Sequence, residues 1–456
     1  MSEKAKFSSK IGVIAATVGS AVGLGNIWRF PAEAQENGGA AFLLVYVICV
    51  LLLGVPVMLG EFALGRGGQS DAFGVFRRFA PRTAWPVAGL LGILASYLIL
   101  CFYMVVAGWT FEYLWQSISG GLYAGTGGAG RDAIEQTFST RMEEYTAGTS
   151  GPLINTFIMI GINITILLMG VKKGIEKMSN IMMPILFLLL IVFAIVALTL
   201  PGAGDGLTFF FHPDFSKLTP GVIVNALGQA FFSLSLGMGI LITYSSYYPH
   251  ETKLGQTAVT VALLDLLVAV LMGIVIFPSV AAFGLQDANL RGTTLIFVTL
   301  PEVFSHMPAT QLWSILFFLL LTIAALTSTI SLAEVSVAFV QDRFKMRRTP
   351  ATLCVMLPLF LLSGIVSLSL GSLSFLKICG LGIFDFLDTL TTNVMLPVVS
   401  LLTCLFMGWF APKDLFLSQL SNHGTLRSRL YPTVIFIVKW LAPVLILVIL
   451  VSGFIN

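Results

Sequence analysis

The sequence predicts an all-α membrane protein of eleven transmembrane helices, arranged as two five-helix inverted repeats with helices 1 and 6 broken. Hydrophobic residues make up 57% of the chain and charged residues only 10%, whereas soluble domains carry roughly 25% charged residues. The hydrophobic residues form long runs, and two of these runs contain closely spaced glycines at matching places in the two halves. A chain with so little charge cannot cover its surface in water, which leaves lipid as its solvent.

The hydrophobic runs have the length of membrane-spanning helices. A hydrocarbon core of about 30 Å needs about 20 helical residues, and the runs lack the alternation of barrel strands. The predicted spans, numbered in chain order, are 11–36, 40–65, 86–118, 152–170, 180–200, 222–248, 257–284, 311–341, 350–370, 375–410 and 432–454.

Basic residues in the loops predict the orientation, because Lys and Arg accumulate on the cytoplasmic side. With the N-terminus inside, eighteen basic residues are cytoplasmic: Lys4, Lys6, Lys10, Arg66, Arg77, Arg78, Arg82, Lys172, Lys173, Lys177, Lys253, Arg343, Lys345, Arg347, Arg348, Lys413, Arg427 and Arg429. Four are outside: Arg131, Arg141, Lys217 and Arg291. We therefore expect a cytoplasmic N-terminus without a cleavable signal and a C-terminus on the extracellular or periplasmic side.

The predicted organisation has four parts. Residues 1–10 form a cytoplasmic segment, 11–200 the first repeat with spans 1–5, and 201–410 the second repeat with spans 6–10. Residues 411–456 hold a loop and span 11. The long outer connection at 119–151 is rich in Gly and Thr and is expected to be a flexible loop.

Spans 1 and 6 carry the same defect, GSAVGLGN at 19–26 and SLSLGMG at 233–239. Each glycine costs a helix about 1 kcal/mol relative to alanine, so Gly-x-Gly favours unwinding. Unwound backbone at membrane depth must line a cavity or be buried in protein, and matched breaks indicate a transporter with a midplane site. Backbone amides at the N-terminus of a half-helix would bind an anion. Backbone carbonyls left free at the break would bind a cation. Close helix packing through Gly19-x-x-x-Gly23 is the alternative.

Charged groups inside the spans need partners or a purpose, because each costs about 2.5–3.5 kcal/mol to insert. Lys377 and Lys439, near helix ends, are interpreted as snorkelling side chains. Asp265 lies between leucines, which favours cation coordination over an ion pair. The adjacent hydroxyls at 327–329 either bond back to their own helix or supply oxygen ligands to a hard cation. The remaining charges within spans are Arg29, Glu61, Glu334, Asp385 and Asp388.

Three motifs point to one family. GSAVGLGNIWRFP at 19–31, followed by ENGG at 36–39, resembles the signature of the neurotransmitter:sodium symporter family. FFSLSLGMG at 231–239 resembles its sixth helix and LTS at 326–328 its eighth. Eleven spans are similar to the bacterial branch that transports hydrophobic amino acids, which implies a bacterial inner membrane.

The resemblance implies two sodium sites. The first would use the Ala21 carbonyl, Asn26, Ser233, Asp265 and the substrate carboxylate. The second would use the carbonyls of Gly19, Val22 and Ala324 and the hydroxyls of Thr327 and Ser328.

The resemblance also implies a substrate site for a zwitterion. Amides around Leu24 and Gly25 and the Tyr103 hydroxyl would bind the carboxylate. Carbonyls of Ala21, Phe232 and Ser233 would bind the amine. The apolar pocket would be Ile99, Phe232, Ser235, Met238, Ser328 and Leu332, which predicts neutral hydrophobic L-amino acids, aromatic ones included.

Two positions depart from the family pattern. Ser233 replaces a common threonine and keeps the hydroxyl. Asp265 stands where many relatives have asparagine with chloride nearby, so we expect transport without chloride.

The resemblance further implies two gates. Outside, Arg29 would pair with Asp388, with Asp385 as the alternative partner, above Phe232 and Tyr103. Inside, Lys4, Phe7, Tyr247 and Asp342 would close the cytoplasmic face. In span 5, Gly174 and Pro184 predict a segment that unwinds to release the second sodium.

Other function classes fit less well. The sequence has no His-Glu-x-x-His, no Gly-x-Ser-x-Gly and no paired cysteine and histidine, so an enzyme is not expected. Rows of pore-lining polar residues typical of a channel are lacking, and no nucleic-acid partner is expected. A sodium-dependent amino acid sensor on the same fold, without net transport, is the remaining alternative.

Overall fold

A computed structural model describes residues 5–126, 130–285, 292–426 and 430–455. Nine helices in these ranges are long and apolar enough to cross a membrane: Ala40–Gly68, Pro86–Ser119, Ser150–Leu168, Val171–Thr199, Leu254–Ala282, Thr310–Phe344, Arg348–Leu368, Ile383–Phe410 and Tyr431–Gly453. The helices Lys10–Ala21 and Gly25–Glu36 form a bent pair, with 54° between them, that counts as a tenth span. These correspond to every predicted span except the sixth.

The predicted sixth span consists of two short helices, Pro220–Ser233 and Ile240–Ser245. Each is too short to cross a bilayer alone, so by length and composition the described residues contain nine spans, or ten with the bent pair, and the predicted count of eleven stays a prediction. Between them Ser235, Gly237 and Gly239 have φ angles of 55°, 75° and 70°. These left-handed conformations stop an α-helix, and glycine adopts them without a steric cost.

The break in span 1 is shorter. The helix ends at Ala21, and Val22 is extended, with ψ of 106°. Leu24 returns to helical angles and leads into a π-helical turn at Gly25–Arg29. Ser9 begins this span by capping it, because its Oγ accepts a hydrogen bond from the Gly12 amide at 2.9 Å.

Short elements connect the spans. The helices are Ala72–Phe79, Arg131–Ala147, Ala203–Phe211, Gly292–Ser305 and Lys413–Leu420. Single 3₁₀ turns lie at Gly121–Tyr123 and Phe215–Lys217. The strands Lys377–Ile378 and Leu381–Gly382 form a small antiparallel hairpin.

The expectation of a flexible loop at 119–151 is wrong, because the 17-residue helix Arg131–Ala147 lies within it. Ile134, Phe138 and Met142 repeat every four residues and are buried. Phe138 packs on Tyr123, with ring centres 5.7 Å apart. The four-residue spacing of these three apolar residues is typical of a helix, whereas the Gly- and Thr-rich composition of the segment suggested a loop.

Burial shows which spans lie at the centre. In the most apolar 18-residue stretch of Pro86–Ser119 and of Thr310–Phe344, 72% and 78% of the residues are buried. In that of Tyr431–Gly453 only 28% are buried. The two central helices pack beside the breaks, where Ser96 donates a hydrogen bond to the Met238 carbonyl. We call the side with Arg29 and Asp388 the vestibule face, and the side with the N-terminal segment the N-terminal face.

Candidate functional site

The two helix breaks meet at a central cavity of about 30 Å³. A volume of this size holds about one water molecule. Ten of the eleven predicted substrate residues line it: Ala21, Gly25, Ile99, Tyr103, Phe232, Ser233, Ser235, Met238, Ser328 and Leu332. The eleventh, Leu24, donates its amide hydrogen to the Tyr103 hydroxyl at 2.9 Å. The cavity must widen before it holds an amino acid.

Residues of the first predicted cation site form a connected group. Asn26 Nδ2 donates to Ser233 Oγ at 2.9 Å and to Asp265 Oδ1 at 2.8 Å. Ser233 Oγ donates to Asp265 Oδ2 at 2.6 Å. Tyr46 also reaches Ser233 and Asp265, at 3.0 and 3.3 Å. Three separate spans and the sixth-span break therefore converge on one carboxylate.

This group has the donor set of a cation site. Asp265 is completely buried, and no Lys or Arg in the described ranges forms an ion pair with it. Asn26 Oδ1 is buried and has no hydrogen-bond partner among the described residues. An unpaired buried oxygen costs about 1–3 kcal/mol, and a buried unpaired charge costs more. A hard cation with oxygen ligands would satisfy both groups.

Residues of the second predicted cation site lie where spans 1, 5 and 8 pack. A Cβ added to Gly19 would approach Thr327 Cβ to 3.4 Å and Met183 Sδ to 3.1 Å. One added to Gly23 would overlap Ser328 Oγ. Thr327 Oγ1 donates to the Ala324 carbonyl at 3.0 Å, which is the bond back to its own helix. Val22 is fully buried beside them.

A vestibule of about 540 Å³ opens above the cavity. Both spaces are lined by Gly25, Tyr103 and Phe232, which form the floor of the vestibule and the roof of the central cavity. The guanidinium of Arg29 lies 4.7 Å above the Phe232 ring. Arg29 pairs with Glu33, with Nε 3.8 Å from Oε1.

The expected outer pair is not formed here. Asp385 and Asp388 face the same vestibule, but neither makes an ion pair with Arg29 within the described ranges. The physical reason is the open vestibule, which separates the walls that carry them. Pairing of Arg29 with Asp388 therefore stays a prediction for a closed state.

The N-terminal face is closed. The Phe7 amide donates to the Tyr247 carbonyl at 2.9 Å, and the Phe7 ring contacts Tyr244, with centres 5.9 Å apart. Tyr247 donates its hydroxyl hydrogen to Glu334 at 2.7 Å, and Glu334 pairs with Arg348 at 2.6 Å.

Two further residues were predicted to belong to the inner gate on the N-terminal face. Asp342 accepts a hydrogen bond from the Asp71 amide at 2.9 Å. Lys4, the remaining residue of the predicted inner gate, lies outside the described residues.

Comparison with known proteins decides the family. The model of the sodium:neurotransmitter symporter family matches residues 4–129 and 134–456. The chain belongs to this family. The symporter is therefore a sodium-dependent transporter with many membrane-spanning helices, as its motifs indicated.

Relatives support the assignment over the full length. The symporter is 36% identical to the sodium-dependent transporter YhdH of Bacillus subtilis, over 98% of this chain and 97% of that one. It is 25% identical to the rat sodium-dependent neutral amino acid transporter B(0)AT2, over 100% of this chain and 73% of that one. The crystal structure of MhsT in complex with L-phenylalanine matches with a TM-score of 0.89 and 42% identity, covering 99% of this chain and all of that one.

Sequence reasoning missed several groups of the symporter. Tyr46 gave no signal, because a tyrosine in an apolar helix is common. Glu61 was seen as a buried charge without a role, and it accepts a hydrogen bond from the Gly237 amide at 2.8 Å. It thereby satisfies a backbone donor that the sixth-span break exposes.

Glu176 was not singled out. It accepts hydrogen bonds from the Ser8 amide at 2.8 Å and from Ser9 Oγ at 3.0 Å. Its position two residues after Gly174, in the segment predicted to unwind, was the available signal.

Proposed function

We propose that the symporter imports neutral hydrophobic L-amino acids, aliphatic and aromatic, with sodium by alternating access, without requiring chloride. The observation that carries this proposal is the Asn26–Ser233–Asp265 group beneath an apolar cavity at two helix breaks. Backbone at such breaks offers amides to a carboxylate and carbonyls to a cation.

Two sodium ions are proposed, one at each predicted site. The first would be bound by Asn26, Ser233 and Asp265 together with the substrate carboxylate. A sodium ion and a substrate that share one site each raise the affinity of the other, and this mutual gain couples their movement. The second, between Gly19 and Thr327, would stabilise packing of span 1 against span 8.

The substrate class follows from the lining. Ile99, Phe232, Met238 and Leu332 are apolar, and the charged groups of the vestibule lie above the floor formed by Phe232 and Tyr103. Met238 is flexible and adapts to different shapes. The 42% identity to a protein solved with L-phenylalanine supports an aromatic substrate.

Chloride independence rests on Asp265. A fixed carboxylate beside the first site supplies the negative charge that balances a bound sodium ion, so no free anion is needed. Tyr46 and Ser233 hold this carboxylate in place.

The membrane arrangement is also proposed. The broken sixth span is counted with the other ten to give eleven, in two inverted repeats. The vestibule face is outside, and the N-terminal face is in the cytoplasm of a bacterial inner membrane. The present conformation is then open to the outside and closed to the inside.

Uptake into proteoliposomes tests the proposal. A panel of labelled amino acids is presented under an imposed inward sodium gradient, with sodium chloride or sodium gluconate. We expect concentrative uptake of leucine-like and aromatic amino acids in both salts, abolished when the gradient is dissipated. Sodium-dependent binding without accumulation would instead identify a sensor, and loss of uptake in gluconate would contradict chloride independence.

A further inference from the structure

A lysine and two tryptophans form a cluster on the surface between the last two spans. Lys439 Nζ lies 4.3 Å from the ring centre of Trp409 and 5.7 Å from that of Trp440. The two indole rings are 4.6 Å apart at 78°. Both indoles are about half exposed, at 49% and 50%. We call these three residues the Lys439 cluster.

The chain is shaped to build this cluster. A Cβ added to Gly408 would lie 2.8 Å from Lys439 Cα and 3.1 Å from its Cβ, so only glycine lets the two helices approach here. Each helix has a π-helical turn at this level, Phe406–Phe410 and Ile437–Leu441. Trp409 Nε1 donates to the Lys439 carbonyl at 3.3 Å and fixes one ring.

The positive charge of the cluster has no counterion among the residues that the structure describes. Within the described ranges, no carboxylate forms an ion pair with Lys439. The Trp409 indole N–H donates to the Lys439 carbonyl, whereas that of Trp440, which is half exposed, makes no hydrogen bond with the described residues. One cation and one N–H donor thus remain at a surface that faces lipid. A snorkelling lysine would extend to water, whereas Lys439 lies against two rings.

The depth of the cluster is that of lipid headgroups. Trp409 is the second-last residue of Ile383–Phe410, and exposed Pro412 and Lys413 follow directly. Lys439 is therefore level with the end of the neighbouring span on the N-terminal face, although it lies two turns inside its own span. At this level the available anion is a lipid phosphate.

We propose that the Lys439 cluster binds the headgroup phosphate of an anionic phospholipid. Lys439 would neutralise the phosphate, the Trp440 N–H would donate to it, and the indoles would pack against the glycerol and upper chains. The sequence between the last two spans contains Lys413, Arg427 and Arg429, and basic residues there attract anionic lipid to this leaflet. Cation–π contacts with the two indoles hold the Lys439 ammonium ion at this surface.

Thermal unfolding of the delipidated full-length protein in neutral detergent tests this site. Phosphatidylglycerol, phosphatidylcholine and inorganic phosphate are added separately at equal concentration. We expect phosphatidylglycerol to raise Tm by at least about 2 °C more than phosphatidylcholine, and inorganic phosphate to have no effect. Lys439→Met should lose this extra rise, whereas Lys439→Arg and the control Lys377→Met should keep it.

A second measurement covers the case in which Lys439→Met does not fold. Trp440→Phe keeps a ring and removes the N–H donor, and lipid co-purified with each variant is counted by mass spectrometry. We expect at least about a twofold loss of retained phosphatidylglycerol relative to wild type. The proposal is overturned if both lipids raise Tm equally, if inorganic phosphate reproduces the rise, or if Lys439→Met or Trp440→Phe behaves as wild type.

Discussion

Asn26 and Asp265 lie 239 positions apart in the chain, yet the amide of one donates to the carboxylate of the other at 2.8 Å. Asn26 belongs to the π-helical turn that follows the first break, and Asp265 to a continuous helix. The amide oxygen of Asn26 is left buried without a partner among the described residues. This contact therefore joins the broken span 1 to the continuous span 7 and leaves an oxygen atom available to a cation.

Asp265→Asn tests the fixed charge. The variant keeps the size and one oxygen but removes the negative charge, so sodium-driven uptake in gluconate should fall at least about tenfold, the equivalent of about 1.4 kcal/mol. Adding chloride should restore part of the rate, because a free anion would replace the carboxylate. Equal uptake by wild type and variant in gluconate would contradict the role of Asp265.

The apolar lining predicts a change of substrate preference. Leu332→Ala enlarges the cavity wall and should raise uptake of tryptophan relative to leucine by about 10-fold, the range expected for a few methylene groups in an apolar pocket. Leu326→Ala, in the same helix but outside the lining, is the matched control. An unchanged ratio in Leu332→Ala would remove this residue from the pocket.

Glu176 is expected to lock the N-terminal segment to span 5. Its carboxylate bonds both Ser8 and Ser9, and hydrogen bonds to a charged group contribute about 1.5–3 kcal/mol each. Glu176→Gln should weaken the closed state, so that hydrogen exchange at 171–183 accelerates at least about tenfold. Exchange at 254–282, a continuous helix, serves as the internal control. Unchanged protection of 171–183 would contradict the role of Glu176, and protection of that segment in an inward-open state would contradict unwinding.

Tyr247 connects the broken sixth span to the Glu334–Arg348 pair on the N-terminal face. Tyr247→Phe removes one hydrogen bond to a charged group, which shifts a two-state equilibrium about 10-fold toward inward opening. Thiol labelling from the N-terminal face of a cysteine placed at Ser20 should speed up accordingly. Tyr97→Phe, which loses a hydrogen bond to the Val355 carbonyl elsewhere, should leave the labelling rate unchanged. The same acceleration in both variants would show a general loss of packing.

The outer gate predicts a pair that forms only on closure. Asp388→Asn should weaken substrate-induced closure and lower uptake more than Asp385→Asn, measured at saturating sodium. If Asp385→Asn has the larger effect, Asp385 is the partner of Arg29.

The sequence predicted the spans and both breaks because their signals are local. Long apolar runs predict the helices, and the Gly-x-Gly motifs predict the breaks, which lie at residues 22–23 and 234–239. The family resemblance predicted ten residues that line one cavity in the structure. Hydrophobic periodicity alone could not have predicted this grouping. Contacts between distant segments could not be predicted from the sequence, because they depend on how the helices pack. Examples are the contacts of Glu61 with Gly237, of Glu176 with Ser8, and of Lys439 with Trp409. The state of Arg29 depends on which conformation the transporter adopts, and a sequence encodes all of them.

The most direct test of the central claim is an experimental structure with saturating sodium and L-phenylalanine. The account predicts that the substrate carboxylate binds the backbone amides of Leu24 and Gly25. It also predicts a cation in contact with the substrate carboxylate, Asn26 and Asp265. It also predicts Phe232 and Tyr103 closed over the substrate. Substrate bound elsewhere, or a cation that touches neither Asn26 nor Asp265, would contradict it.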